Sequence, residues 1–143
     1  MTPEFLLTRT LILTCLLASG ASAVETGIPP GAEDAVERLK ASPRHGEWVD
    51  IPLPGSDTKL KTWVVYPERN DKAPVVLVIH EIFGLTDWVR AVADQLAADG
   101  FIAVAPDLLS GKGPGGGGTE SFAGDAVREA IRGLAPDEVA ARL

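Results

Sequence analysis

Five consecutive residues, His80-Glu81-Ile82-Phe83-Gly84, put a titratable ring, a carboxylate and a glycine directly behind the apolar run Val75-Val76-Leu77-Val78-Ile79. A β-branched run without alternation suits a strand buried on both faces of a parallel sheet, and open α/β sheets bind their ligands beyond the carboxyl ends of such strands. Polar groups there are candidates for chemistry. Glu81 offers a carboxylate, and Ile82 offers a backbone N–H that can meet negative charge developing on a carbonyl oxygen. One pre-aimed donor of that kind is worth roughly 3–4 kcal/mol in a transition state. Glu81 and Ile82 are therefore the residues there that warrant a functional hypothesis.

The other polar residues are weaker candidates. Glu81 itself could cap a helix or pair with Arg90, as carboxylates at such places usually serve structure. His80 reads as a hydrogen-bonded strand-end residue, and it opens no zinc motif because position 84 is Gly where a second histidine is required. Asp107, behind Phe101-Ile102-Ala103-Val104-Ala105-Pro106, could reach the site, but an acid there more commonly caps its loop by accepting from backbone amides. Gly111-x-Gly113-x-x-Gly116 matches a dinucleotide fingerprint in form only, since Pro114 and the glycine run keep a helix from starting where a pyrophosphate would bind. Ser56, Ser110 and Ser121 lack the flanking glycines of a nucleophile elbow, and Cys15 is the sole cysteine. His80 is the last histidine, so no triad in the order nucleophile, acid, histidine can be assembled.

The elements that must position these groups follow from periodicity. Ala32 to Leu39 could form a short helix in a Pro- and Gly-punctuated lead-in segment, residues 24–46. Glu47–Ile51 and Lys61–Tyr66 alternate as strands around Pro54-Gly55-Ser56-Asp57 and read as a hairpin. Val75–Ile79 should be a central strand. A helix is expected from about Asp87 to Asp99, with Trp88, Ala91, Val92 and Leu96 on one face and Gly100 as its stop. Phe101–Ala105 is a second buried strand, completing a βαβ unit. Trp48, Trp63 and Trp88 are expected to pack on strands or in the core. Ser110 to Gly118 reads as a flexible loop. Val127, Ala130, Ile131 and Leu134 have helical spacing, and Pro136 with Asp137 and Glu138 opens a further helix.

Arg9, the apolar stretch Leu11–Ala18 and Ala21-Ser22-Ala23 have the form of a secretory signal peptide over residues 1–23, cleaved after Ala23. The run is shorter than the roughly 20 residues that cross a bilayer. A periplasmic or secreted location follows, with no membrane association after cleavage, and a mature chain without cysteine forms no disulfide. The composition, 45% hydrophobic and 23% charged, suits one globular domain. A net charge of −7 argues against nucleic acid as a partner.

His-Glu-Ile-Phe-Gly after an apolar strand, the helix from Trp88 to Leu96, Gly100-Phe101 and Val104-Ala105-Pro106-Asp107-Leu108 together resemble the dienelactone hydrolase family. The resemblance runs from about Glu47 to Asp107 and on toward Leu143; each piece is short, and their order is what is distinctive. It implies an α/β-hydrolase-like three-layer sandwich with a mostly parallel sheet, incomplete over residues 47–143. It implies a Cys-His-Asp triad, a glutamate at Glu81 that contacts the resting cysteine and moves when substrate binds, and an oxyanion donor at the Ile82 amide. It implies ester or lactone substrates and no metal or organic cofactor. The departure is the missing G-x-C-x-G or G-x-S-x-G elbow.

Two function classes stay open. One is an exported hydrolase acting through an acyl-enzyme, with nucleophile, acid and histidine outside these residues. The other is a truncated, non-catalytic secreted protein of the same fold that binds a ligand.

Overall fold

The structure is a computed structural model that describes residues 31–143. The signal segment 1–23, with Cys15, lies outside the described residues. Elements run in the order α1 (Ala35–Ala41), β1 (Gly46–Pro52), β2 (Lys59–Val65), β3 (Val75–Leu77), α2 (Asp87–Ala98), β4 (Ile102–Pro106), α3 (Ala126–Arg132) and α4 (Pro136–Arg142).

The hairpin forms as its alternation requires: β1 pairs antiparallel with β2 from Gly46 opposite Val65 to Pro52 opposite Lys59. Gly55, with φ 73°, turns the chain between them. The second strand then pairs antiparallel with β4, and β4 pairs parallel with β3, in the order β1-β2-β4-β3. The class is α/β and the sheet is mixed. Parallel pairing, expected for most of the sheet, is confined among the described strands to the βαβ unit.

The third strand departs from its expected place. It is an edge strand, paired on one side only among the described residues, and Val75, Leu77 and Ile79 are 64%, 44% and 55% exposed. The unbroken apolar run correctly marks a strand with two apolar faces. Alternation sends odd-numbered residues to the face away from α2, where among the described residues α4 approaches only Leu77, so half the run stays largely exposed.

Helix α2 fills the other face. Thr86 caps its first turn, accepting from the Val89 amide. It ends as the glycine signal requires: Gly100, φ 97°, donates to Ala97 O and Phe101 donates to Leu96 O, the paired bonds of a Schellman stop. Val89, Ala93 and Ala97 pack with Leu85 against Val65, Ala103 and Ala105, which makes the core. Helix α1 lies on α2, fastened by Asp94, which accepts from Ser42 Oγ at 2.6 Å and from Arg44 Nη2 at 2.5 Å. On the opposite face only the last turn of α4 approaches, where Ala141 and Leu143 share a groove with Leu77 and Val104.

The strand tryptophans pack on each other as expected, while Trp88 lies on α2. Trp48 and Trp88 are 43% and 37% exposed; Trp48 meets Trp63 edge to face at 5.2 Å, and the Arg90 guanidinium lies over both rings. Among the described residues no helix is long and apolar enough to cross a membrane.

Candidate active site

Parallel pairing brings the ends of β3 and β4 side by side, and the first polar residue after each strand turns inward: His80 and Asp107 are 8% and 1% exposed. Their surroundings explain how they tolerate burial. The His80 Nε2 accepts from the Leu108 amide at 3.0 Å, and Nδ1 faces the Glu81 carbonyl at 3.0 Å. Asp107 accepts three bonds, from the Leu109 amide at 3.0 Å and from the Thr119 amide and hydroxyl at 2.7 Å each. A buried carboxylate needs such saturation. Asp107 thus caps its own loop, as its position after a strand suggests.

The turn that follows β3 is tight. Gly84 donates to Glu81 O at 3.0 Å and Phe83 donates to the Glu81 carboxylate at 3.0 Å. Gly84 has φ 77°, and a Cβ there would stand 2.3 Å from Thr119 Oγ1, so backbone conformation and space both require glycine. The amides of Phe83, Gly84 and Leu85 are bonded, whereas that of Ile82 has no acceptor among the described residues. Glu81 is exposed, Ile82 and Phe83 are 37% and 50% exposed, and the Arg128 guanidinium of α3 sits 5.9 Å from the Phe83 ring. The segment is an open lip. Glu81 does not pair with Arg90, whose partner is Asp87.

The glycine-rich stretch, expected to be flexible with little to pack, is ordered. Two short 3-10 turns, Pro114–Gly116 and Thr119–Ser121, fold it onto Asp107. A Cβ at Gly118 would stand 2.2 Å from Asp107 Oδ2, which shows why glycine precedes Thr119. Sequence reasoning missed Thr119, because a run of glycines suggests freedom and close approach equally. The pairing of a buried strand-end acid with a threonine behind glycine is the signal that could have found it.

Nucleophile candidates are absent among the described residues. Ser110 Oγ donates to Asp107 O and accepts from the Lys61 amide, and Ser56 Oγ accepts from the Thr58 amide. Both are structural. Ser121 has no imidazole beside it in any described contact; His80 uses both ring nitrogens, and His45 stacks on Tyr66 at the surface. No group of three or more His, Cys, Asp or Glu that could hold a metal ion occurs among the described residues. A crevice of about 500 Å³, lined by Asp50, Lys59, Lys61 and Glu120, belongs to the hairpin and the glycine loop, away from Glu81 and Ile82.

The sequence pattern of the dienelactone hydrolase family matches residues 60–142, more than half of the chain and all of the site just described. The chain belongs to the dienelactone hydrolase family. It is similar to a candidate carboxymethylenebutenolidase of Azospirillum brasilense, 40% identical over 67 residues that cover 46% of this chain and 29% of that protein. A candidate hydrolase fragment of Escherichia coli strain K12 is 37% identical over 68 residues, covering 47% of this chain and 58% of the relative. In fold it resembles a crystal structure described as a candidate dienelactone hydrolase of Klebsiella pneumoniae, with a TM-score of 0.56 and 24% identity over 68% of this chain and 40% of that one. The chain thus matches only part of each of these proteins. The residues matched to this hydrolase family include the strand, the His-Glu-Ile-Phe-Gly turn, the helix and the strand that build the site.

Proposed function

We propose that this chain forms the oxyanion side of an ester or lactone hydrolase. In this reading a cysteine or serine outside the described residues attacks the substrate carbonyl carbon. The carbonyl π pair moves to oxygen, and the Ile82 N–H receives that charge. The alcohol leaves with a proton, and water then cleaves the acyl-enzyme to release the acid. Glu81, beside this amide, holds the turn through the Phe83 amide in the resting state and is free to contact the nucleophile when the turn adjusts.

The single observation that carries the reading is the Ile82 amide, on a residue 37% exposed and without an acceptor among the described residues, beside the bonded amides of Phe83, Gly84 and Leu85. A donor that no protein group occupies is available to a substrate oxygen, and a preorganised one has its greatest value where charge develops. The substrate is a small ester or lactone, in keeping with the hydrolase family. Export to the periplasm or beyond rests on the signal-like residues 1–23.

The test begins with the coding sequence beyond the Leu143 codon, which should contain a glycine-flanked cysteine or serine followed by an aspartate and a histidine. The product bearing them should hydrolyse a chromogenic ester, and Ile82→Pro, which removes the N–H, should lower kcat by about 10²–10³. An immediate stop codon, or full activity in Ile82→Pro, defeats the proposal; the former leaves a non-catalytic binding protein of the same fold. Ester hydrolysis by the 143-residue chain alone would equally contradict it, because its sequence holds no glycine-flanked serine or cysteine elbow.

A further inference from the structure

The geometry points to Thr119 as a positioning residue that holds the Glu81–Leu85 turn, and with it the Ile82 amide, through its hydroxyl. Its functional meaning rests on the reading of Ile82 as oxyanion donor; its physics does not. A threonine hydroxyl has one hydrogen to give and lone pairs to receive. Thr119 uses both: it donates to Asp107 Oδ1 at 2.7 Å and accepts from the Leu85 amide at 3.0 Å. The charged, buried acceptor polarises the hydroxyl, which strengthens its grip on Leu85.

The other end of the turn is tied to the same place. The Glu81 carbonyl receives the His80 Nδ1 hydrogen, while His80 Nε2 is held by the amide of Leu108, the neighbour of Asp107. Residues 81 and 85, which bracket the turn, are therefore both anchored to the exit of β4. The two chains of bonds run through different side chains and meet at adjacent residues. Glycine at 84 admits the hydroxyl, and glycine at 118 admits Asp107 to the Thr119 backbone. Between the anchors, the Ile82 N–H has no acceptor among the described residues.

Valine at 119 would keep the shape of threonine but strand the Leu85 amide and remove one donor from Asp107, whereas serine would keep the hydroxyl. The experiment is residue-resolved amide exchange by NMR on the whole chain and on Thr119→Val and Thr119→Ser. In Thr119→Val the Gly84 and Leu85 amides should exchange roughly tenfold faster and the Ile82 resonance should move, with Trp63 and Val65 in the β2 strand unchanged. Thr119→Ser should restore wild-type exchange at both positions. Unchanged exchange at Gly84 and Leu85 in Thr119→Val overturns the proposal, as does uniform acceleration across the chain. If Thr119→Val fails to fold, Thr119→Ser decides: retained protection at Leu85 supports the hydroxyl brace, and its loss refutes it.

Hydrolysis separates the two readings. In a chain that hydrolyses a chromogenic ester, Thr119→Val should lower kcat and leave KM unaltered; a loosened turn with full kcat refutes the positioning role. An inert protein whose exchange behaves as expected strikes at the oxyanion reading and leaves the brace standing.

Discussion

The Leu108 amide donates to His80 Nε2 over 3.0 Å, so the neutral ring must carry its hydrogen on Nδ1, from which it donates to the Glu81 carbonyl. A ring nitrogen that accepts has no hydrogen to give. Asp107 Oδ1 lies 3.9 Å from Nε2, but the Leu108 amide occupies that nitrogen's lone pair. Long-range ¹⁵N NMR should find Nδ1 protonated and Nε2 bare in the neutral ring. The opposite tautomer would mean that the Leu108 bond is not made in solution.

The glycine at 84 is confined twice over, and a comparison separates the two causes. Gly55 has φ 73° with open space where a Cβ would go, whereas Gly84 has φ 77° and meets Thr119 Oγ1 at 2.3 Å. Gly55→Ala should cost about 1–2 kcal/mol of conformational strain. Gly84→Ala should cost that and at least about 1 kcal/mol more, because Thr119 must give way and its bonds with it. Denaturant titrations of both variants measure the difference. Equal losses would mean that the loop carrying Thr119 yields freely.

Asp94 joins α1's exit to α2 in a setting where a charge cannot be left alone. Its partner Arg44 and it are 15% and 12% exposed at the side chain, and Ser42 completes its bonding. Asp94→Ala should destabilise by about 3 kcal/mol, since it leaves the guanidinium partly buried without its carboxylate. Glu37→Ala, which removes the exposed Lys40 pair, should change stability by less than about 0.5 kcal/mol. Urea unfolding of the two variants tests the contrast.

Acid should loosen α4 before it unfolds the sheet. Glu138 accepts from Lys112 at 2.7 Å and from Arg142 at 2.8 Å, and these cations, Lys112 foremost, hold its carboxyl below the usual 4.5. A carboxyl whose folded value is depressed contributes stability in full above its unfolded value and loses it as pH falls through the folded one. The Arg142 guanidinium it steadies also donates to the carbonyls of Leu108 and Ser110. Protection of α4 amides should therefore decline below about pH 4.5, and Glu138→Gln should remove that dependence while lowering protection at neutral pH. A pH response in Glu138→Gln equal to that of the parent would rule the cluster out as its source.

Much of the fold was legible because local chemistry dictates it. The hairpin followed from alternation around Pro54 to Asp57, and α2 from its apolar spacing and the stop at Gly100. The α4 helix followed from Pro136 at its first turn. Its limits appear where the same residues serve two purposes. The run Val75–Ile79 announces a strand with two apolar faces, but which neighbours cover those faces is decided by pairing with β4 and by what lies over the sheet. The glycines from 113 to 118 announce low steric bulk, and only the buried Asp107 decides that this becomes close packing.

By itself the sequence determined that a strand precedes His80, that a carboxylate and a candidate amide donor follow it, and that no glycine-flanked nucleophile stands within these 143 residues. Those are properties of order and residue type. The tertiary structure alone decided that His80 is held at both ring nitrogens, that Asp107 is saturated by backbone and hydroxyl donors, and that Thr119 reaches back 34 residues to hold Leu85. The reason is physical: hydrogen bonds between distant segments depend on where the chain brings a donor, to within about 0.3 Å, and no pattern along one strand or one loop encodes that separation.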